Sequence, residues 1–316
     1  MSDSRFLNLT TLLVIAVIVV MPLCMPATLA AEIAIFATAT LSVTLLLGSV
    51  GLLSFGQGLY LGIGSYTAGI LLRDHGIGLV PTLILATLAG ALAAGVLAIL
   101  IVRRRGIYFV MLTLAFAQMG YFAMLAAKDI TGGENGMTGL PRSFDIAGAT
   151  IASPISFYVL AAAGFLLAFL GVQRLNASPF GSILTSIREN ESRSEALGYD
   201  VKLFKLAAFA VAGGIAALSG AMHAVFLGFV PPNDIELEMS QRVLMMAIIG
   251  GVGSPAGALV GTIFYVVVSE ALSELWARWM ALIAVMLIAI VLFLPGGLWS
   301  IGQRMALLRK NGKTDG

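Results

Sequence analysis

Charged side chains fall into short intervals of this sequence, and the stretches between them are apolar over lengths that suit a lipid bilayer. A helix needs about 20 mostly apolar residues to cross the hydrocarbon core. Stretches of that kind lie at 8–30, 33–51, 57–72, 81–102, 107–126, 155–173, 204–227, 241–253, 256–270 and 280–298. Of the 316 residues, 59% are hydrophobic and 11% charged, against about 25% charged in a soluble domain. A water-facing surface of ordinary polarity cannot be covered with so few charges. The expected fold is all-α, a polytopic transmembrane helical bundle of about ten spans, with residues 1–316 forming one membrane domain. The 36 glycines suit helices packed closely in lipid. A net charge of +2 with scattered basic residues gives no nucleic-acid footprint.

The positive-inside rule orients the bundle. One side holds Arg5, Arg103, Arg104, Arg105, Arg174, Arg188, Arg193, Lys202, Lys205, Arg304, Arg309, Lys310 and Lys313, thirteen of the 18 basic residues. The other side keeps Arg73, Lys128, Arg142, Arg242 and Arg278. Both termini are therefore expected in the cytoplasm, with the membrane itself a lipid partner. The arrangement requires 241–253 and 256–270 to be separate short crossings around Gly250-Gly251-Val252-Gly253-Ser254-Pro255, a run that no continuous helix favours. Arg5 followed by the apolar run through Cys24 imitates a secretory signal, but a second apolar stretch follows at once, so the segment reads as an uncleaved first span. Cys24 is the single cysteine, which excludes an internal disulfide and a thiolate metal cluster.

Two loops are long enough to have a role, an outer one at 127–154 and an inner one at 174–203. In the inner loop, Ser178-Pro179 is a helix start, a capping side chain followed by Pro at the first helical position. Phe180, Ile183, Leu184 and Ile187 then recur at the spacing of one helical face, with Ser182, Thr185, Ser186 and Glu189 opposite. This amphipathic helix either rests on the lipid surface or docks its apolar face into a groove of a cytoplasmic partner. On the outer side, Glu134, Asp145, Asp234, Glu236 and Glu238 make an acidic face around the Gly-rich stretch 131–141.

The inner loop also carries a resemblance. Its string Asn176-Ala177-Ser178-Pro179-Phe180-Gly181, then Ile187-Arg188-Glu189-Asn190-Glu191 and Glu195-Ala196-Leu197-Gly198-Tyr199-Asp200, resembles the branched-chain amino acid permeases of ABC importers, the LivM-type subunit in particular. Arg105-Gly106-Ile107-Tyr108-Phe109, Leu112-Thr113-Leu114-Ala115-Phe116, Thr131-Gly132-Gly133, Gly139-Leu140-Pro141 and Gly250-Gly251-Val252-Gly253-Ser254 match in order over residues 40–300. At 53–58 the sequence departs from the family, which more often follows its Gly-Gln with a His; here Leu59-Tyr60-Leu61-Gly62 follows. The resemblance implies an ABC importer permease fold and no cofactor. It also implies a second homologous permease subunit, two cytoplasmic ATPase subunits and a periplasmic substrate-binding protein, in a bacterial inner membrane. ATP-driven alternating access would carry leucine, isoleucine, valine or a related amino acid. Coupling to the ATPase would run through Phe180, Ile183, Leu184, Ile187, Arg188, Glu189, Glu195 and Gly198, and Glu134, Glu236 and Glu238 would dock the binding protein. An importer of urea, short amides or another small polar solute is the alternative within the class; a secondary carrier working alone is the alternative outside it.

Small residues four apart, at Gly58 and Gly62, Gly64 and Ala68, and Gly253, Gly257 and Gly261, let helix backbones approach closely. The same segments also read as broken or re-entrant helices facing a path, with Ser54, Gln57, Ser65, Tyr66, Gly250, Gly251 and Ser254 as path candidates. Glu32, Glu270 and Glu274 are expected at span ends and His223 as a lone structural histidine, a pattern that argues against an ion-coupled carrier. No catalytic residue is expected. Gly312-Lys313-Thr314 lacks the earlier glycine and the strand of a phosphate loop, and Ser65 with His223, the best serine-protease pair, is expected at mismatched depths.

Overall fold

The computed structural model describes residues 3–300 apart from 105, 142, 147–148, 276–277 and 295. Arg105, Arg142, Arg304, Arg309, Lys310, Lys313 and the 312–314 string thus lie outside the described residues. Thirteen helices follow one another: α1 (Asp3–Cys24), α2 (Ala27–Val43), α3 (Gln57–Arg73), α4 (Leu79–Ile101), α5 (Ile107–Ala126), α6 (Lys128–Thr131), α7 (Pro154–Asn176), α8 (Pro179–Glu189), α9 (Glu191–Ala196), α10 (Val201–Leu227), α11 (Leu237–Gly250), α12 (Pro255–Leu275) and α13 (Trp279–Phe293). The all-α expectation is modified only by a small antiparallel hairpin in the outer loop, β1 (Phe144–Ile146) with β2 (Ala149–Ile151), in which Phe144 pairs with Ile151.

Among the described residues, seven helical stretches are long and apolar enough to cross a bilayer: Ala27–Val50, Leu79–Ile101, Ile107–Ala126, Pro154–Asn176, Val201–Leu227, Pro255–Glu274 and Trp279–Ser300. The chain is a multi-pass membrane protein. The remaining expected spans are shorter: the described apolar part of α1, Thr10–Cys24, with α3 at 17 residues and α11 at 14. Two expected boundaries are corrected. The first break falls at Met25-Pro26 rather than near residue 31, because Pro26 lacks the N–H that would continue α1, and Glu32 consequently sits inside α2. The span expected at 256–270 is no short crossing; α12 runs 21 residues, since Glu270 and Glu274 end the apolar run without ending the helix, and both are exposed.

Burial separates an inner core from a lipid-type exterior. Within the Ala27–Val50 stretch the most apolar 18-residue window is 89% buried, whereas α4, α5 and α13 leave rows of Leu, Ile, Val and Met open. An apolar exterior around a core that includes Thr38, Thr40, Ser42 and Ser219 inverts the pattern of a soluble protein. The core forms where small residues bring backbones together. Gly64 of α3 lies against the Ala217 backbone of α10, and Gly220 of α10 against the Leu61 carbonyl, so that a Cβ at either position collides with main chain. Gly257 and Gly261 of α12 abut Gly250 and Met246 of α11 in the same way, which is the packing read from their spacing; Gly253 lies in the turn and meets nothing.

Candidate functional site

Two helices begin in the interior of the protein rather than at a surface. α2 ends in a π-helical turn, Thr44–Val50, and Gly51 turns the chain with a φ of +77°, a conformation that L side chains rarely adopt. Residues 51–56 then run without helical structure back into the bundle. Their polar groups are met internally: Thr113 of α5 accepts from the Phe55 N–H at 3.2 Å, and Ser54 Oγ accepts from the Gly56 N–H at 3.1 Å. α3 starts at buried Gln57, whose Oε1 is 2.9 Å from Ser42 Oγ on α2, while its Nε2 meets no protein acceptor.

From the opposite end of the bundle, residues 228–236 descend beside α3. Val230 forms a bridge to Met137 in the outer loop and packs with it over Gly69, and Ile235 packs on Gly62. α11 then starts, and its first turn meets that of α3, the Gly58 N–H donating to Ser240 Oγ at 2.8 Å with the Glu236 carbonyl alongside. α3 and α11 run in opposite directions from this point. At 1.5 Å per residue they are about 25 and 21 Å long, each shorter than the hydrocarbon core, so each needs its irregular lead-in, 51–56 or 228–236, to complete its passage. Irregular backbone at such depth is tolerated only where protein or a wet cavity satisfies it.

Two turns above the junction, Ser65 donates to Asp234 Oδ2 at 2.6 Å with the Gly220 carbonyl 2.9 Å away, and His223 Nδ1 lies 2.9 Å from Asp234 Oδ1. Two expectations fall here. Ser65 and His223 are not at mismatched depths, and His223 is not alone. Asp234 stands between them, however, so the imidazole does not reach the hydroxyl and has no proton to take from it. Asp234 is fully buried and does not belong to the acidic outer face. Tyr66 is buried with its hydroxyl unmatched. Sequence reading missed the Asp234 pair, Ser42, Thr113 and Ser240, which no local pattern marks.

At the other end, α8 forms as expected, with Ser178 as its cap and Pro179 at the first position. Its apolar face is turned inward. Leu184 and Ile187 are buried in this chain, Phe180 stacks on Phe204 of α10 at 5.4 Å, and Ile183 is half-buried. Leu184 and Ile187 are therefore not free to enter a partner's groove, and Ser182, Thr185, Ser186 and Glu189 form the exposed face instead. Arg188 donates to the Gly48 carbonyl and lies over Gly51. Lys205, nearly closed to solvent, bonds Glu191 of α9 at 2.6 Å. Gly198, with φ +89°, makes the turn into α10, and Glu195 is exposed beside it. Arg188, Ser254 and Trp299 line a cavity of about 340 Å³ that the 251–254 turn borders. Gly250 is consumed by contact with α12 and Gly251 by contact with Gly296 and Gly297.

Among the docking candidates, Glu134 and Glu238 are exposed, the latter 3.5 Å from Arg242. Glu236 instead stands at the residue just before α11, beside Gly58, and is half-buried. The side chain of Asp145 lies outside the described residues. At the outer end of α3, hydrogen bonds from Arg73 hold the exposed Asp74 carboxyl below the usual carboxylate range.

Two helices thus start inside the bundle, and a short amphipathic helix is seated against its end. A family model described as branched-chain amino acid transport system / permease component matches residues 25–292. The chain belongs to this family. Among curated relatives it is 28% identical to the high-affinity branched-chain amino acid transport system permease protein LivM of Escherichia coli, over 87% of this chain and 70% of the relative. It is 28% identical to the autoinducer 2 import system permease protein LsrC of an Enterobacter species, over 87% and 80%. The galactose/methyl galactoside import permease protein MglC of Escherichia coli is 25% identical over 48% of this chain and 46% of its own length. No solved structure gives a significant match. The family match includes both broken helices and the whole of α8.

Proposed function

We propose that this chain is a transmembrane permease subunit of an ABC importer that carries leucine, isoleucine, valine or a related amino acid into the cytoplasm. The observation that carries the reading is the family match over residues 25–292, with LivM proteins among the relatives that align over most of the chain. In this reading the seven long helices and the three shorter ones make ten crossings of a bacterial inner membrane, with both termini cytoplasmic. A second homologous permease subunit completes the pore, two ATPase subunits bind the α8 side, and a periplasmic protein delivers substrate to the side of Glu134. ATP binding moves α8, and the inward Leu184 and Ile187 together with Arg188 pass that movement to the end of α2 and the 251–254 turn. The path runs past the paired starts of α3 and α11. The relatedness to LsrC and MglC supports a second reading, import of another small solute on the same frame.

Deletion of the encoding gene in its native host, followed by uptake of radiolabelled L-leucine, L-valine, galactose and urea, separates these readings. Loss of leucine and valine uptake alone is the expected result. Unchanged leucine and valine uptake with loss of another solute overturns the substrate assignment, and uptake that persists when ATP is depleted overturns the importer class.

A further inference from the structure

We infer that the Gln57 amide, set at the junction of the α3 and α11 N-termini, is the group that receives the substrate's carboxylate during translocation. The inference rests on the proposed amino-acid substrate and adds to it the residue that reads the substrate's charged end.

Three observations converge. The first turns of α3 and α11 are in contact through Gly58, Ser240 and the Glu236 carbonyl, and the two helices run away from one another. Each helix presents the positive end of its dipole at its start, so two such ends lie at one depth. Secondly, Gln57 is 2% exposed, and only one end of its amide is matched, by Ser42 at 2.9 Å. Nε2, a donor with two hydrogens, meets no acceptor among the described residues. Buried donors are nearly always matched, and one left open at a junction of two helix starts calls for an acceptor from outside the chain. Thirdly, among the described residues no cationic side chain is hydrogen-bonded at this junction, where Ser42, Thr113, Ser240 and backbone make the matched contacts. A carboxylate held there meets neutral donors and helix dipoles, with the half-buried Glu236 at the start of α11 as the nearby acidic group that keeps its hold loose. Binding is then strong enough to admit the anion and weak enough to release it, as a translocation path requires. The amino acid's ammonium and apolar side chain remain for other parts of the pore.

The junction is closed in this conformation, with Ser54 and Gln57 buried, so the carboxylate gains access when residues 51–56 shift. That segment is tied at its base to α8 through Gly51 and Arg188, and the element proposed to receive the ATPase stroke is the one that opens the site.

The test uses the whole transporter, assembled from this chain and its partner subunits. Uptake of radiolabelled L-leucine at saturating concentration is measured for wild type, Gln57→Glu and Gln57→Leu, with membrane abundance read by immunoblot. Glu keeps an acceptor for Ser42 but replaces the open donor with a carboxylate that fills the junction itself. The expected result is at least a tenfold loss of uptake in both variants at normal abundance. Uptake at the wild-type rate in Gln57→Glu reduces the amide to a structural tie and overturns the inference. Should the variants fail to accumulate, equilibrium binding to the wild-type complex purified without the binding protein decides. L-leucinol, which has an alcohol in place of the carboxylate, is expected to compete at least tenfold more weakly than L-leucine, and equal competition overturns the inference. A wild-type transporter that carries no amino acid overturns the proposed function and this inference together. Leucine uptake by wild type that is matched by Gln57→Glu overturns this inference alone.

Discussion

Asp234 is the residue on which the outer half of the α3–α11 frame depends. It has no exposed surface, and His223 and Ser65 both bond to it, so it fastens the descending 228–236 segment to α10 and α3 at once. Removing one member of a buried pair leaves the others desolvated without compensation, at a cost of about 3–5 kcal/mol. Asp234→Ala is expected to lower the unfolding free energy of the detergent-purified protein by that order, and Asp234→Asn, which retains an acceptor, by less. Replacing both Asp234 and His223 by Leu should cost less than the sum of the two single changes, because an apolar pair asks for no partner. Additive losses in that cycle would show that the two side chains act separately. None of this was legible in the sequence. His223 and Asp234 are eleven positions apart across a helix end and two prolines, a separation that no helical or strand period brings together.

At the scale of elements, sequence pattern read α8 well in its start, its length and its two faces, since capping and the 3.6-residue period are local effects. The direction in which the apolar face points was not legible, because the docking surface for that face comes from α10 and from the π-turn of α2, which are far away in sequence. The consequence is a pair of opposite outcomes on neighbouring residues. Leu184→Asp places a carboxylate in the bundle, so abundance should fall sharply along with uptake, by a mechanism worth several kcal/mol. Ser186→Trp alters only the exposed face; abundance should be normal while ATPase subunits no longer co-purify. If instead Ser186→Trp retains them and Leu184→Asp is produced normally but uncoupled, α8 is turned the other way. Helix pairs follow the same logic. Gly220→Ala drives a methyl into the Leu61 carbonyl, and overpacking of this kind costs about 1–3 kcal/mol. Gly95→Ala, whose added methyl would lie 3.8 Å from Ala210, is expected to be neutral in the same unfolding assay.

For the whole molecule, α8 and the 251–254 turn share one end, and the outer loop with Val230 forms the other. The basic-residue bias, also a whole-chain property, leads us to expect the first end in the cytoplasm and the second outside it. In a Cys24→Ala background, a cysteine at Ser254 should label only from the cytoplasm and one at Glu134 only from the periplasm, with membrane-impermeant maleimide as the probe. Labelling of both from one side would break the ten-crossing topology. The short length of α11 has a last consequence, for biogenesis. Fourteen residues ending in glycine are a poor signal for the machinery that hands nascent helices to lipid. The tight turn at 251–254 joins α11 to a full-length neighbour that it touches through glycine, so the two should enter the bilayer as a hairpin, the second helix drawing in the first. A ribosome stalled before α12 has emerged would hold α11 outside the lipid and open to protease, and one stalled after it would hold both protected.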